Sequence, residues 1–409
     1  MISRFCKYIE KVFDFGKNLR LFRDSRQKPQ ISIGAIWLSA FFMFAMRKGS
    51  INAIESELQI PKRMEKIVGK RKPKADIIGN VFAIIETDSL RQILSMINHR
   101  LKRNKALKTK SPLIFAAIDG HELFSSRSRC CDKCQIRNIE EKNRTVIEYY
   151  HRAVVCHLVG FDLALPLDAE LILPGEGEVI AAKRLLERVI KLYPRFFDAI
   201  VGDGLYFEAP FINYCIEHGK DVMTVVKSDT RVIMQDALGI IRTQEPEQME
   251  INGIHLKTWD IEGFNSCEGI EVPLRILYVE ELKQIRKRKG KKWVNETEQH
   301  KWCWVTNIPK SRLPTIQAWK AGHSRWDIEN DNFNDLANNW ELDHCYKHEP
   351  QAIINFILTL FITFILIQSF YHRDLKPPIR KLFTRIAIAL QLGISIACEN
   401  FIAPWVNTS

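Results

Sequence analysis

The chain has 409 residues, more than one ordinary domain needs, and its 46% apolar and 26% charged shares suit a globular protein able to bury a core. Its charge is less ordinary: 60 Lys and Arg against 48 Asp and Glu give +12, which favours a polyanionic partner, most commonly nucleic acid. Basic ribosome-associated and membrane-surface proteins carry the same bias, so charge alone does not choose among them.

The opening Met1-Ile-Ser-Arg-Phe-Cys-Lys-Tyr8 has no apolar signal core and no cleavage site, which sets the expectation of a cytoplasmic chain with reduced cysteines. Residues 1–25 read as basic and mildly amphipathic. A helix is expected over Ile31–Met46, then a helix-like stretch to about Leu58 and a run dense in Lys and Arg from Lys62 to Lys74. Ala75–Ile97 reads as one or two helices with Ile77, Ile78, Val81, Ile84 and Ile85 on one face, and Arg100–Lys110 is a second basic run. Residues 1–110 are thus a helical basic region, whose charged runs are either a solvated surface or an arm on DNA.

The pattern changes at Pro112. Leu113–Ile118 is a short apolar run like a buried strand, ending at Asp119-Gly120. Thr145–Val159 and Asp162–Ile172 read as strands, Glu178–Tyr193 as an amphipathic helix, and Phe197–Val201 as a buried strand that ends in Gly202-Asp203-Gly204. A helix over Pro210–His218 and a strand over Asp221–Val226 complete a mixed α/β sheet flanked by helices. Residues 228–301 read as a β-rich insertion with an exposed basic loop, Lys283–Lys292. The sheet resumes at Trp302–Thr306, so the core comprises 111–227 and 302–372, followed by a helical tail over 373–409. Ile353–Phe370 is at the lower edge of transmembrane length. It holds Asn355, Thr359, Thr363 and Gln368, which favours a helix buried in a large core over a membrane anchor.

The stretch Gly322–Trp340 reads as a helix with unusual polar content. Arg325 and Glu329 stand four apart and share a face, and Trp326, Glu329 and Phe333 place a carboxylate beside an apolar stripe. Asp119 and Asp203 each follow a buried strand and precede a glycine, where side chains converge at the end of an open α/β sheet. Two aspartates and a glutamate are oxygen ligands of the kind Mg²⁺ or Mn²⁺ prefers, and two such ions support in-line attack on phosphorus. Turn chemistry alone also produces Asp-Gly after a strand.

These residues carry a resemblance. Asp119-Gly, Gly-Asp203-Gly-Leu-Tyr206 and Arg325-x-x-x-Glu329 resemble the three acidic motifs of DDE transposases of bacterial insertion sequences, most closely the insertion-sequence-four-like group. Arg325-Trp-x-Ile-Glu-Asn-x-x-Phe-Asn334, followed by Trp340, His344, Tyr346 and His348, is the most specific part. The resemblance implies a ribonuclease-H-like core interrupted by the insertion, and an enzyme that binds element ends, hydrolyses a DNA strand and joins the 3′-hydroxyl to target DNA. It implies two Mg²⁺ or Mn²⁺ ions on Asp119, Asp203 and Glu329, a homodimer or higher assembly on DNA, no membrane, and a bacterial or archaeal, nucleoid-associated setting. Arg325 is expected to orient Glu329 or touch a phosphate. Two positions depart from the group's fuller signature: its Tyr three residues before the Arg is Gly322, and its Lys seven after the Glu is Leu336. Their DNA-holding role would then fall to His323, Lys347 or others. A nuclease without strand transfer and a catalytically silent DNA-binding descendant are the rival readings.

Three further features remain. The basic run with Lys287, Arg288, Lys289, Lys291 and Lys292 suits phosphate contacts. Cys131-x-x-Cys134 has zinc-ligand spacing that His151, Cys156 or His157 would complete across a hairpin, with reduced buried cysteines as the alternative. His121-Glu122 reads as a loop pair, and Trp302, Trp304, Trp319, Trp326 and Trp340 as core residues more than stacking platforms.

Overall fold

The computed structural model describes residues 1–142, 144–226, 231–290 and 292–406, with the side chains of Lys292 and Asp331 excepted. One ten-stranded mixed sheet runs through it. Its core strands are β1 (Phe115–Ser126), β3 (Arg144–Val159), β4 (Leu165–Ile172), β5 (Ala199–Gly202) and β6 (Asp221–Val225), while β2 (Gln135–Glu141) pairs the outer half of β3. The five core strands lie in the order β4-β3-β1-β5-β6, with β3 antiparallel to both neighbours and β1, β5 and β6 mutually parallel. That order is ribonuclease-H-like. The apolar runs predicted as strands are buried throughout: β5 has no exposed position, and Phe115–Ile118 of β1 are covered on both faces.

β7 (Glu247–Ile251), β8 (Ile254–Phe264), β9 (Leu274–Lys289) and β10 (Lys292–Thr306) form an antiparallel meander that continues the same sheet. β10 joins β6 through Trp304–Thr306 and runs outward past the carboxyl ends of β5 and β6. The Lys283–Lys292 run is therefore no loop. It is the paired end of the β9–β10 hairpin, turning at Gly290 (φ 61°), on the order of 40 Å along the strand from Trp304. The expected boundary at 228 and the predicted contact Lys291 lie outside the described residues, as does the side chain of Lys292.

The helices 2–13, 33–45, 75–82 and 87–103 gather round the Pro350–Ser369 helix, whose apolar window is wholly buried in protein. Its polar residues explain that placement. Trp37 Nε1 donates to Thr359 Oγ1 at 2.9 Å, Asn355 Nδ2 donates to the carbonyls of Phe82 and Ile85 at 2.8 and 3.0 Å, and Gln368 exchanges bonds with the backbone of Ala164. Phe82 stacks on Phe356 at 4.0 Å. Partnered polar groups tie one helix to its neighbours where lipid would offer nothing. The basic run from Arg100 begins inside the Thr87–Arg103 helix rather than after it.

Candidate active site

Two register facts position the acids. β1 pairs β5 in parallel through Ala117–Val201, and Asp119 and Asp203 each lie two residues further on. Side chains two apart share a face, and neighbouring strands run about 4.8 Å apart, so the sheet delivers both carboxylates side by side. Asp203 follows the end of β5, as expected, and caps the short turn Gly204–Tyr206 by accepting from Leu205 N at 2.7 Å. Asp119 does not end its strand. β1 continues to Ser126 because β3 keeps pairing with it after β5 has stopped, so Asp119 sits where the parallel ladder gives out. For the same reason His121 and Glu122 are strand residues: His121 meets Asp343 Oδ1 at 2.7 Å and stacks on Phe333, and Glu122 takes a bidentate pair from Arg137.

Glu329 comes from the far side. The expected helix is there, but Ile328–Asn334 is wound as a π-helical turn, followed by an α-helix over Asp335–Trp340. Such wide turns rotate the side chains after them and recur at functional sites. The turn packs on β1 and β3. Arg325, whose side chain is only 9% exposed, donates through Nη1 to Glu329 Oε1 at 2.7 Å and to Asp119 Oδ2 at 3.3 Å. One guanidinium thus ties the glutamate to the first aspartate.

A fourth carboxylate was not among the sequence candidates. Glu178, first residue of the Glu178–Leu192 helix, is buried against Gly120, takes a 2.6 Å ion pair from Arg152 and accepts from the Tyr206 hydroxyl at 2.8 Å. Its sequence signal was only an acidic first turn, which ordinary helix-dipole stabilisation accounts for. Burial, opposed by Arg325 and reinforced by Glu178, Glu329 and Asp203, pushes the Asp119 carboxyl up to about 6. A buried aspartate among like charges is a site that gains from a cation.

Hard oxygen donors from three elements fit divalent Mg²⁺ or Mn²⁺. Among the described residues, the group whose ligand atoms all lie within 4.8 Å of one another is a different one, Cys131, Cys134, His151 and His348. Cys156 and His157, offered by spacing, are buried elsewhere, and His348 was missed because no spacing rule links it to a CxxC so far upstream.

The remaining candidates are placed as follows. Lys287, Arg288 and Lys289 stand exposed on the β9–β10 hairpin, where Lys289 pairs with Glu296 and Lys287 approaches Glu298 at 4.0 Å. His323 and Trp319 both bond Glu281 Oε1 at 2.6 Å, and Lys347 reaches Asn80 and Glu349. Trp304, Trp319 and Trp340 are buried, whereas Trp302 and Trp326 are half-buried and meet edge to face at 4.8 Å.

The family model of the transposase DDE domain matches residues 125–366. The chain belongs to the DDE transposase family. The matched stretch contains Asp203 and Glu329 and begins just after Asp119. No curated protein matches the chain. Among solved structures, this transposase is similar to the piggyBac transposase in its synaptic complex with hairpin DNA, at 11% identity and TM-score 0.41, over 95% of this chain and 77% of that one.

Proposed function

We propose that this transposase is of the insertion-sequence-four-like group, binds the inverted-repeat ends of its element as a dimer or higher assembly, hydrolyses a strand there and joins the 3′-hydroxyl to target DNA. The observation that carries the reading is the convergence of Asp119 and Asp203, each two residues past the last pair of the β1–β5 ladder, with Glu329, tied to Asp119 through Arg325.

Asp119, Asp203 and Glu329 would hold two Mg²⁺ or Mn²⁺ ions. Bound divalent cations supply an activated water or 3′-hydroxyl and offset the charge on the leaving oxygen. The chain's own residues do the positioning. The β1–β5 register sets the spacing of the aspartates, and Arg325 keeps Glu329 turned toward them until a phosphate or cation competes for it. Glu178, held by Arg152 and Tyr206, adds negative field behind Asp119 and so favours cation capture. The hairpin bearing Lys287, Arg288 and Lys289 leaves the sheet on the side of the acids and would follow the DNA backbone away from the cut.

The test is cleavage of a labelled duplex carrying the element's end, with Mg²⁺ or Mn²⁺, by wild type, Asp203→Ala and Glu329→Gln. Metal-dependent nicking at the end followed by joining, with both variants inert yet still bound to DNA, supports the proposal. Nicking without joining would make the protein a nuclease of the same fold, and variants that cut like wild type would place the site elsewhere.

A further inference from the structure

We infer that Cys131, Cys134, His151 and His348 form a structural zinc site, separate from the acidic centre and independent of the reading given to it. The four side chains come from three places. Cys131 and Cys134 lie in the turn before β2, His151 is in β3, and His348 is two residues before the Pro350–Ser369 helix. Their ligand atoms all fall within 4.8 Å of one another.

The individual distances match a metal tetrahedron. With zinc–sulfur bonds of about 2.3 Å and zinc–nitrogen bonds of about 2.0–2.1 Å, tetrahedral edges come to about 3.8 Å between sulfurs and about 3.5 Å between sulfur and nitrogen. Here the sulfurs stand 3.7 Å apart, His151 Nε2 is 3.4 and 3.3 Å from Cys131 and Cys134, and His348 Nε2 is 3.1 Å from Cys134. A disulfide would require about 2.05 Å. The turn itself is built for ligation: Cys134 N donates to the Cys131 carbonyl at 3.3 Å, and Cys131 N donates to the Cys134 sulfur at 3.2 Å. Cys134 and His151 are 6% and 1% exposed, Cys131 and His348 are half-buried, and Phe124 packs on both imidazoles, so four protein ligands would fill a tetrahedral ion and leave no position for substrate.

Two thiolates and two neutral imidazoles are the donor set of closed structural zinc, and binding would release the two thiol protons to the solvent. Phe124 lies opposite His151 in the β1–β3 ladder, several residues beyond Asp119, which puts the site on the order of 15 Å along the strand from the acids. What it joins is informative. His348 closes the connection that follows the Glu329 turn, and the same connection contributes Asp343 to His121. Zinc would staple that connection to the turn before β2 and to β3, the strand paired with the one that carries Asp119.

The experiment is metal analysis of the purified full-length chain by plasma mass spectrometry, followed by replacement with Co²⁺ and absorption spectroscopy. One zinc per chain and a cobalt spectrum with thiolate charge-transfer bands of a tetrahedral site are expected. Cys134→Ser and His348→Ala should each lose the zinc, while Cys130→Ser and Asp203→Ala keep it. Should the ligand variants fail to fold, stripping wild type with a chelator should lower its melting temperature, and Zn²⁺ but not Mg²⁺ should restore it. A chain that purifies without stoichiometric zinc and takes up Co²⁺ without thiolate bands would overturn the inference, as would ligand variants that retain the metal.

Discussion

The carboxylate of Glu178 occupies the space that a side chain on Gly120 would need: a β-carbon built there would stand 2.1 Å from Glu178 Oε2. The glycine after Asp119 is thus required by a close approach rather than by a turn, and its bare α-carbon lets a helix-borne acid reach the back of the site. Gly120→Ala should push Glu178 away from Arg152 and Tyr206, destabilising the fold by about 1–3 kcal/mol as overpacking does and lowering end cleavage at least tenfold. Shortening the acid in the double variant with Glu178→Asp should recover part of both. Denaturant melts and cleavage rates of the three proteins decide it; a Gly120→Ala enzyme equal to wild type would show that Glu178 contributes nothing from that position.

Arg325 holds together two carboxylates that would otherwise repel. Arg325→Gln keeps a hydrogen-bonding group but removes the charge, so Glu329 should swing free and cleavage should fall by a factor of about 100, the range of a lost positioning contact. Arg325→Lys retains charge without the planar fork and should fall between. Mn²⁺ affinity, followed by calorimetry, separates this from a pure DNA contact: weaker metal binding without DNA marks a positioning role, unchanged metal binding marks a phosphate contact.

The raised pKa of Asp119 makes a stability prediction with a definite sign. Its carboxyl titrates near 6 in the fold, against an ordinary value of 3.8. The folded state therefore binds the proton more tightly, so the favourable contribution is complete below about 4 and is lost as pH rises through about 6. At neutral pH the ionised Asp119 costs up to about 3 kcal/mol. Asp119→Asn should accordingly be inactive yet more stable than wild type at pH 7 without divalent cations, with the gap closing by pH 4. Urea titrations at the two values check this, and a variant less stable at both would contradict the assignment of Asp119 to a strained, cation-seeking position.

How much of this was legible in the sequence varies with the range of the interaction. Short buried strands and amphipathic helices announce themselves locally, and β5, β6 and the Glu178–Leu192 helix fall within a residue or two of the expected spans. The pairing partner is not local. Nothing in Leu113–Ile118 says that β3 will hold β1 straight past Asp119, and nothing in Lys283–Lys292 says that Glu296 and Glu298 will stand opposite on a paired strand. Glu178, and the place of His348 beside the cysteines, were invisible for the same reason: each reaches its cluster through tertiary contact with a partner outside its own segment. The Arg325–Glu329 pair, one helical turn apart, was readable because helix geometry alone brings it together.

The glycine at position 322 has a physical reason in Trp304. A β-carbon at position 322 would lie 2.4 Å from Trp304 Cε2, and that indole is 1% exposed, stacked on Trp302 and edged by His323. Trp304 fills the space that a side chain at 322 would need, so residue and partner have to change together. Gly322→Ala should cost about 1–3 kcal/mol because the indole is buried and packed against Trp302 and His323, and Gly322→Tyr should not accumulate as folded protein. Combining Gly322→Ala with Trp304→Leu opens the contact and should be less destabilised than the sum of the two single changes. Chemical denaturation of the four members of the cycle measures that coupling; strictly additive losses would mean that the two residues are not in contact in the folded protein.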